Sequence, residues 1–274
     1  MKNIEDFYDY LLVKLGFSDI TVKNYRQCLT KVLKELSTLK PTTEQIEKYV
    51  AEMRKKKYSY SHIRNTTVTL ERYMGFIGRP IKLAKMRRPK PIIKDTLTEG
   101  EIARILAASK NSREKAIIAV LAYSGIRNKE FCSLKTKNVD LDNGVLKIID
   151  GKGGKDRIAY ISRECGKMIS EYLRDYPRNG ISFLVTTLVR GNQYTGWDLR
   201  KRVKVVAKRA GVKKRVYPHL MRHSLATNML NKGANLITIM NQLGHQDIKT
   251  TMIYIRSFPQ RVQQEYQFYV PNYL

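Results

Sequence analysis

Two short clusters hold most of the reactive side chains of this 274-residue chain. One is Pro218-His219-Leu220-Met221-Arg222-His223, and the other runs from Leu243-Gly244-His245 to Thr250-Thr251-Met252-Ile253-Tyr254. Three of the four histidines fall in them, beside a guanidinium and a phenol. Fixed cations next to a phenol suit a phosphate under attack by a tyrosine. A phosphodiester yields to attack when its non-bridging charge is neutralised and its leaving oxygen receives a proton. Guanidiniums, with paired donors in a fixed fork, serve the first need. Arg222 is one candidate. Arg127 is a second, since in Ser124-Gly125-Ile126-Arg127-Asn128-Lys129-Glu130 it follows a helix-breaking glycine and so stands at a loop edge. Lys152, in Asp150-Gly151-Lys152-Gly153-Gly154-Lys155-Asp156, is a mobile point-charge donor able to protonate a leaving alkoxide, with Lys155 as the alternative. That turn lacks the first glycine spacing and the Ser/Thr after lysine of a nucleotide-binding loop.

The elements that must hold these residues are mostly helical. Ile4, Phe7, Tyr8, Leu11 and Leu15 recur at helical spacing, as do Val22, Tyr25, Leu29, Val32, Leu33 and Leu36 after Gly16. Thr42-x-x-Gln45 predicts a capping box for a third helix, and a fourth runs from about residue 61 to 77. These four make a compact bundle over residues 1–81. Residues 82–96 form a basic linker, expected to be extended and unburied, with Lys82, Lys85, Arg87, Arg88, Lys90 and Lys94 along the phosphates of a partner. A second domain, 97–274, opens at the capping box Thr98-x-x-Glu101. In it, residues 144–149 and 157–161 read as a hairpin around the lysine turn, residues 182–185 as a third strand, and 116–123 as a buried helix. From Trp197 onward helices return. Leu199, Val203, Val206, Ala207 and Ala210 share one face; Arg200, Lys201, Arg202, Lys204, Lys208 and Arg209 share the other, where Arg200, Arg202, Lys204 and Lys208, with Lys155 of the lysine turn, are read as contacts to the phosphates of a polyanionic partner. The fold class is α+β, mainly helical with a small hairpin or three-stranded sheet.

Composition narrows the partner. Fifty-two Lys and Arg against 24 Asp and Glu give a formal net charge of +28, which repels itself and fits a polyanion. Cys28, Cys132 and Cys165 lie far apart without metal-ligand spacing, so neither a disulfide framework nor a zinc site is expected, and all three read as buried small hydrophobes. The first residues lack a signal peptide's apolar core, and the longest apolar run is too short to span a bilayer, so a cytoplasmic, nucleoid-associated protein is expected.

Arg127, Lys152, His219, Arg222, His245 and Tyr254, in that order and with their neighbours, resemble the active site of the tyrosine recombinase family, in its phage-integrase and Xer branch. Ser-Gly-Ile-Arg-Asn-Lys-Glu-Phe resembles the first arginine box, Gly151-Lys152-Gly153 the lysine hairpin, and His219-x-x-Arg222-His223 with Leu243-Gly244-His245 the second box. Met221 and Phe131 stand where the family usually has leucine, and both keep the packing. The resemblance implies a helical core-binding domain and a catalytic domain closing as a clamp on duplex DNA. It also implies site-specific cleavage and rejoining without metal, ATP or other cofactor.

In that scheme Tyr254 attacks to give a 3′-phosphotyrosyl bond, Arg127 and Arg222 clamp the phosphate, and His245 donates to it. His219 is general base or hydrogen-bond partner of the tyrosine, and Lys152 is general acid. Among seventeen tyrosines only its distance from Leu-Gly-His singles out Tyr254. Glu130 is expected to orient Arg127 or pair with Lys129, and His223 to support the site from behind or serve packing. After the nucleophile, Phe258, Val262, Tyr266, Tyr269 and Val270 line a short helix, expected to dock on a neighbouring protomer in a DNA-bound homotetramer. Two alternatives stay open: a type IB topoisomerase with the same covalent chemistry, and a silent DNA-binding relative. Target site and accessory partner are not legible.

Overall fold

The computed structural model describes residues 4–89, 95–149, 156–177, 183–187 and 191–244. The chain divides into two compact units, Met1–Ile92 and Ile93–Leu274.

The first unit is the predicted helical bundle: α1 (Ile4–Asp9, continued by a wider π turn, Tyr10–Lys14), α2 (Asp19–Glu35), α3 (Thr43–Lys55) and α4 (Tyr60–Phe76). Each of the last three starts where a hydroxyl takes up an unpaired first-turn amide. Ser18 accepts from Thr21 and Ser59 from His62, while Thr42 and Gln45 close the predicted reciprocal box. Phe7, Leu11, Leu29, Ile46, Ile63 and Leu70 form the core. Phe7 meets Tyr73 edge-on at 5.3 Å between ring centroids, a geometry that places ring edge against ring face.

The basic segment after this bundle departs from the expectation that it stays unburied. Leu83 is buried in the bundle core, Ile81 and Met86 pack against it, and the Leu83 amide donates to Glu71 Oε1 at 2.8 Å. Arg54 also donates to the Ala84 carbonyl at 3.1 Å. Apolar residues spaced among the lysines find a hydrophobic seat, while Lys82, Lys85, Arg87 and Arg88 remain exposed. Lys90 and Lys94 lie outside the described residues.

The second unit is built around α6 (Ser112–Ser124), whose residues Ala116 to Ala122 are all buried. It follows α5 (Glu99–Ala107), which opens with the predicted Thr98–Glu101 box. After α7 (Asn128–Ser133) come β1 (Val139–Asp140), β2 (Val145–Ile148) and β3 (Arg157–Tyr160), an antiparallel sheet in that order. Val145 faces Tyr160 and Ile148 faces Arg157, so the predicted hairpin stands in this register.

The third strand, however, is Val139–Asp140 rather than residues 182–185. Phe183 makes only an isolated bridge to Lys135, and Ser182 lies outside the described residues. Leu184 and Val185 are buried, so the apolar run there reflects core packing without a ladder. The unit ends with α8 (Arg163–Asp175), α9 (Gly196–Arg209), α10 (Pro218–Asn231) and α11 (Leu236–Leu243). Cys132 and Cys165 are buried as expected, whereas Cys28 is only half-buried, its thiol 3.6 Å from Thr66 Oγ1. No helix among the described residues is long and apolar enough to cross a membrane.

Candidate active site

The first arginine box is shaped by Gly125. It ends α6 in the left-handed region (φ 62°), where a side chain is strained, and a Cβ there would stand 2.8 Å from both Leu225 and Leu243. The turn therefore brings the chain close under α10 and α11, and Arg127 then becomes the N-cap of α7. Glu130, one turn into that helix, accepts the Arg127 amide on Oε2 at 2.7 Å and its guanidinium on Oε1 at 2.6 Å. The expectation that Glu130 orients Arg127 corresponds to this geometry; the partner that Glu130 adds is Arg157 of β3, at 2.8 Å, rather than Lys129. The Glu130 side chain is 5% exposed. Burial alone would raise its pKa, but bonds from Arg157 and Arg127 outweigh that and keep it ionised, below the usual carboxylate range.

The second box lies on α10. Pro218 occupies the first turn, where its missing amide costs nothing. Arg222, one turn in, is 2% exposed and is the largest fully buried side chain among the described residues. Its guanidinium donates to the Gly125 carbonyl and to the Leu243 carbonyl, each at 2.6 Å. His219 lies one turn earlier and is exposed; His223 follows one turn later, half-buried. Ser224 accepts the Leu97 amide at 2.8 Å, which fixes α10 to the start of this unit.

α11 is held on α10 by Ala226, Leu230, Ile239 and Leu243. Its last turn is where the cations meet. Arg222 bonds Leu243 O, Arg127 bonds Gly244 O at 2.9 Å, and Arg157 bonds Gln242 O at 2.9 Å. The last carbonyls of a helix have no partner within it and carry the negative end of its dipole, so three guanidiniums satisfy them. Their mutual repulsion is offset by that dipole and by Glu130. The group remains cationic, three guanidiniums to one carboxylate, and is suited to an anion.

Two members of this group were not expected from the sequence. Arg157 opens β3. Gln242 caps the sheet edge with its side chain: its Oε1 accepts the Tyr160 amide at 3.0 Å, and its Nε2 donates to the carbonyls of Tyr160 at 2.8 Å and Ser124 at 3.0 Å. A glutamine on the buried side of a hydrophobic helix was the available signal. Lys152, Lys155, His245 and Tyr254 lie outside the described residues.

The basic face of α9 is also divided. Arg200, Lys204 and Lys208 are exposed, whereas Arg202, expected on DNA, donates to the buried Glu114 at 2.8 Å, as does Arg209 at 2.7 Å. Among the described residues, no group of three or more His, Cys, Asp or Glu is placed to hold a metal ion.

Residues 95–261 match the profile of the phage integrase family, and residues 4–79 match the phage integrase N-terminal SAM-like domain. The tyrosine recombinase XerA of Pyrococcus horikoshii is 32% identical over 256 residues, covering 92% of this chain and 88% of that protein. A crystal structure of XerA recombinase superposes with a TM-score of 0.59 at 30% identity, covering 97% of both chains. The site-specific recombinase XerH, in a post-cleavage complex with palindromic difH substrate, shares the fold at a TM-score of 0.69 and 22% identity, covering 90% of this chain and 79% of that one. With both units matched in this way, the chain belongs to the phage integrase family and is a tyrosine recombinase.

Proposed function

We propose that this recombinase acts on a specific duplex DNA site through Tyr254, with Arg127 and Arg222 as the phosphate clamp. The carrying observation is the convergence of these two guanidiniums on the end of α11, one residue before His245 in sequence. The Tyr254 oxygen forms a bond to the scissile phosphorus as the bond to the 5′-oxygen breaks. His219 takes the phenol proton, Lys152 (or Lys155) gives one to the departing oxygen, and His245 donates to the phosphate. A 5′-hydroxyl from a second duplex then reverses the sequence. The covalent bond keeps the diester's energy, so the exchange balances without nucleotide hydrolysis. The named relatives are recombinases, which favours strand exchange over relaxation of a single duplex.

Strand exchange between two duplexes requires four protomers. The segment after Tyr254, with Phe258, Val262 and Tyr266, is the proposed contact between them, on DNA in the nucleoid. Denaturing capture of protein–DNA adducts on fragmented source DNA tests the reading. Wild type is expected to yield adducts at one sequence, and Tyr254→Phe to bind DNA without any. Adducts from Tyr254→Phe would refute the assigned nucleophile.

A further inference from the structure

We propose that Arg157 is a positioning residue that sets the lysine hairpin against the arginine clamp. The inference rests on the reading of a hairpin lysine as the general acid. The loop carrying Lys152 and Lys155 leaves the sheet between Ile148 and Arg157, which face each other in register. Whatever fixes that pair therefore fixes the base from which the lysine reaches. Ile148 is buried in the core. Arg157 is held by its fork: one nitrogen donates to Glu130 Oε2 at 2.8 Å, the other to the Gln242 carbonyl at 2.9 Å. Glu130 in turn holds Arg127 by both its amide and its guanidinium. A single side chain thus ties the hairpin base to the first arginine box and to the α11 turn that precedes His245.

The close fit argues that this link is demanding. The Arg157 side chain passes so near Gly244 that a Cβ there would overlap its Cδ and Nε. Its Nε is buried without a partner among the described residues, a cost that an apolar residue at the start of β3 would avoid. Burying a charge at a strand end is poor economy for stability alone and sensible for geometry. Proton delivery depends steeply on where the donor is held, because a loosely based loop spends little time within reach of the leaving oxygen.

The test uses the full chain and a duplex bearing the captured site, made once with the normal 5′-bridging oxygen and once with sulfur, which leaves without a proton. Arg157→Ala is expected to slow cleavage of the oxygen duplex at least tenfold, on the order of what is lost when a general acid is misplaced. The sulfur duplex should restore it to near the wild-type rate, as it should for Lys152→Ala. The double variant should be no slower than the hairpin-lysine variant alone. Arg157→Lys, which keeps the cation but cannot fork to both partners, should fall between, and it stands in if the alanine variant does not fold. Rescue of Lys152→Ala without rescue of the Arg157 variants would overturn the proposal, since the defect would then lie in the clamp. Additive losses in the double variant would do the same. If sulfur rescues neither Lys152→Ala nor Lys155→Ala, the acid reading fails first, and the positioning role falls with it.

Discussion

Replacing Glu114 by glutamine removes one charge from the second unit and leaves its shape. Glu114 stands on the first turn of α6 with a side chain 4% exposed. It accepts Arg202 on Oε1 and Arg209 on Oε2, and also takes the Lys110 amide at 3.0 Å. Burial by itself would raise its pKa. The bonds from Arg209, the Lys110 amide and Arg202 outweigh burial and bring it from the ordinary 4.5 down to about 2. At about 1.4 kcal/mol for each tenfold change in proton affinity, that interval corresponds to about 3 kcal/mol of stability at pH 7.

The folded state holds its proton less tightly than the unfolded one. The contribution is therefore complete above about pH 4.5 and is lost as the pH falls through about 2. Glu114→Gln should lower the melting temperature of this unit at pH 7 by roughly 6–12 °C, taking 2–4 °C for each kcal/mol in a unit of this size. The gap should close as acid removes the wild-type advantage. The sole tryptophan, Trp197, opens α9 in the same unit, so its fluorescence follows this transition apart from that of the helical bundle. Equal melting at pH 7, or a gap that stays constant down to pH 2.5, would refute the argument that Glu114 is the ionic anchor of α9.

Three further outcomes separate roles within the basic surface and the site. Lys204→Ala with Lys208→Ala should reduce the slope of log affinity against log salt by about 0.9 for each phosphate that these lysines neutralise. Arg202→Ala should leave that slope in place and lower the melting point instead; the reverse pattern in a salt titration and a melt would return Arg202 to the DNA face. Gly244→Ala should reduce adduct formation well below wild type with DNA binding kept, because the new methyl both strains a residue at φ 64° and displaces Arg157. Normal adduct yield from that variant would mean that the α11 turn tolerates a shift.

What was legible in the sequence was whatever depends on neighbours along the chain. The boxes at Thr42–Gln45 and Thr98–Glu101 pair residues three positions apart and appear as reciprocal caps. Gly125 marks a left-handed stop, and Glu130 is one helical turn from Arg127. Contacts made across the fold were not legible. Arg157 meets Glu130 across 27 residues and the Gln242 carbonyl across 85, and a strand's alternation does not record its partners. The α9 basic face shows the same limit in charge. Arg202 and Arg209 look like Lys204 and Lys208 in the sequence, and only a carboxylate from α6 separates buried ion pairs from exposed cations. Leu83 was hidden by its lysine neighbours, since composition averages over a segment whose apolar residues act singly.

This limit bears on how the site is prepared. Three guanidiniums gathered on a surface would repel one another and spread apart before any phosphate arrived. Here each donates to a different carbonyl at the end of one helix, Gln242, Leu243 and Gly244 in succession. The Gln242 and Leu243 carbonyls belong to the last turn of α11, and Gly244 follows as its left-handed cap, so the spacing of the cations is inherited from this stretch of backbone rather than set by side-chain packing. The cost of assembling positive charge is met during folding, when α11 docks through Ile239 and Leu243 on α10, and need not be met again when a phosphate binds. The same docking fixes the residue from which the chain continues to His245. On the proposed roles, the two arginines and His245 depend on one short helix, and a change that loosens α11 should weaken both contributions together.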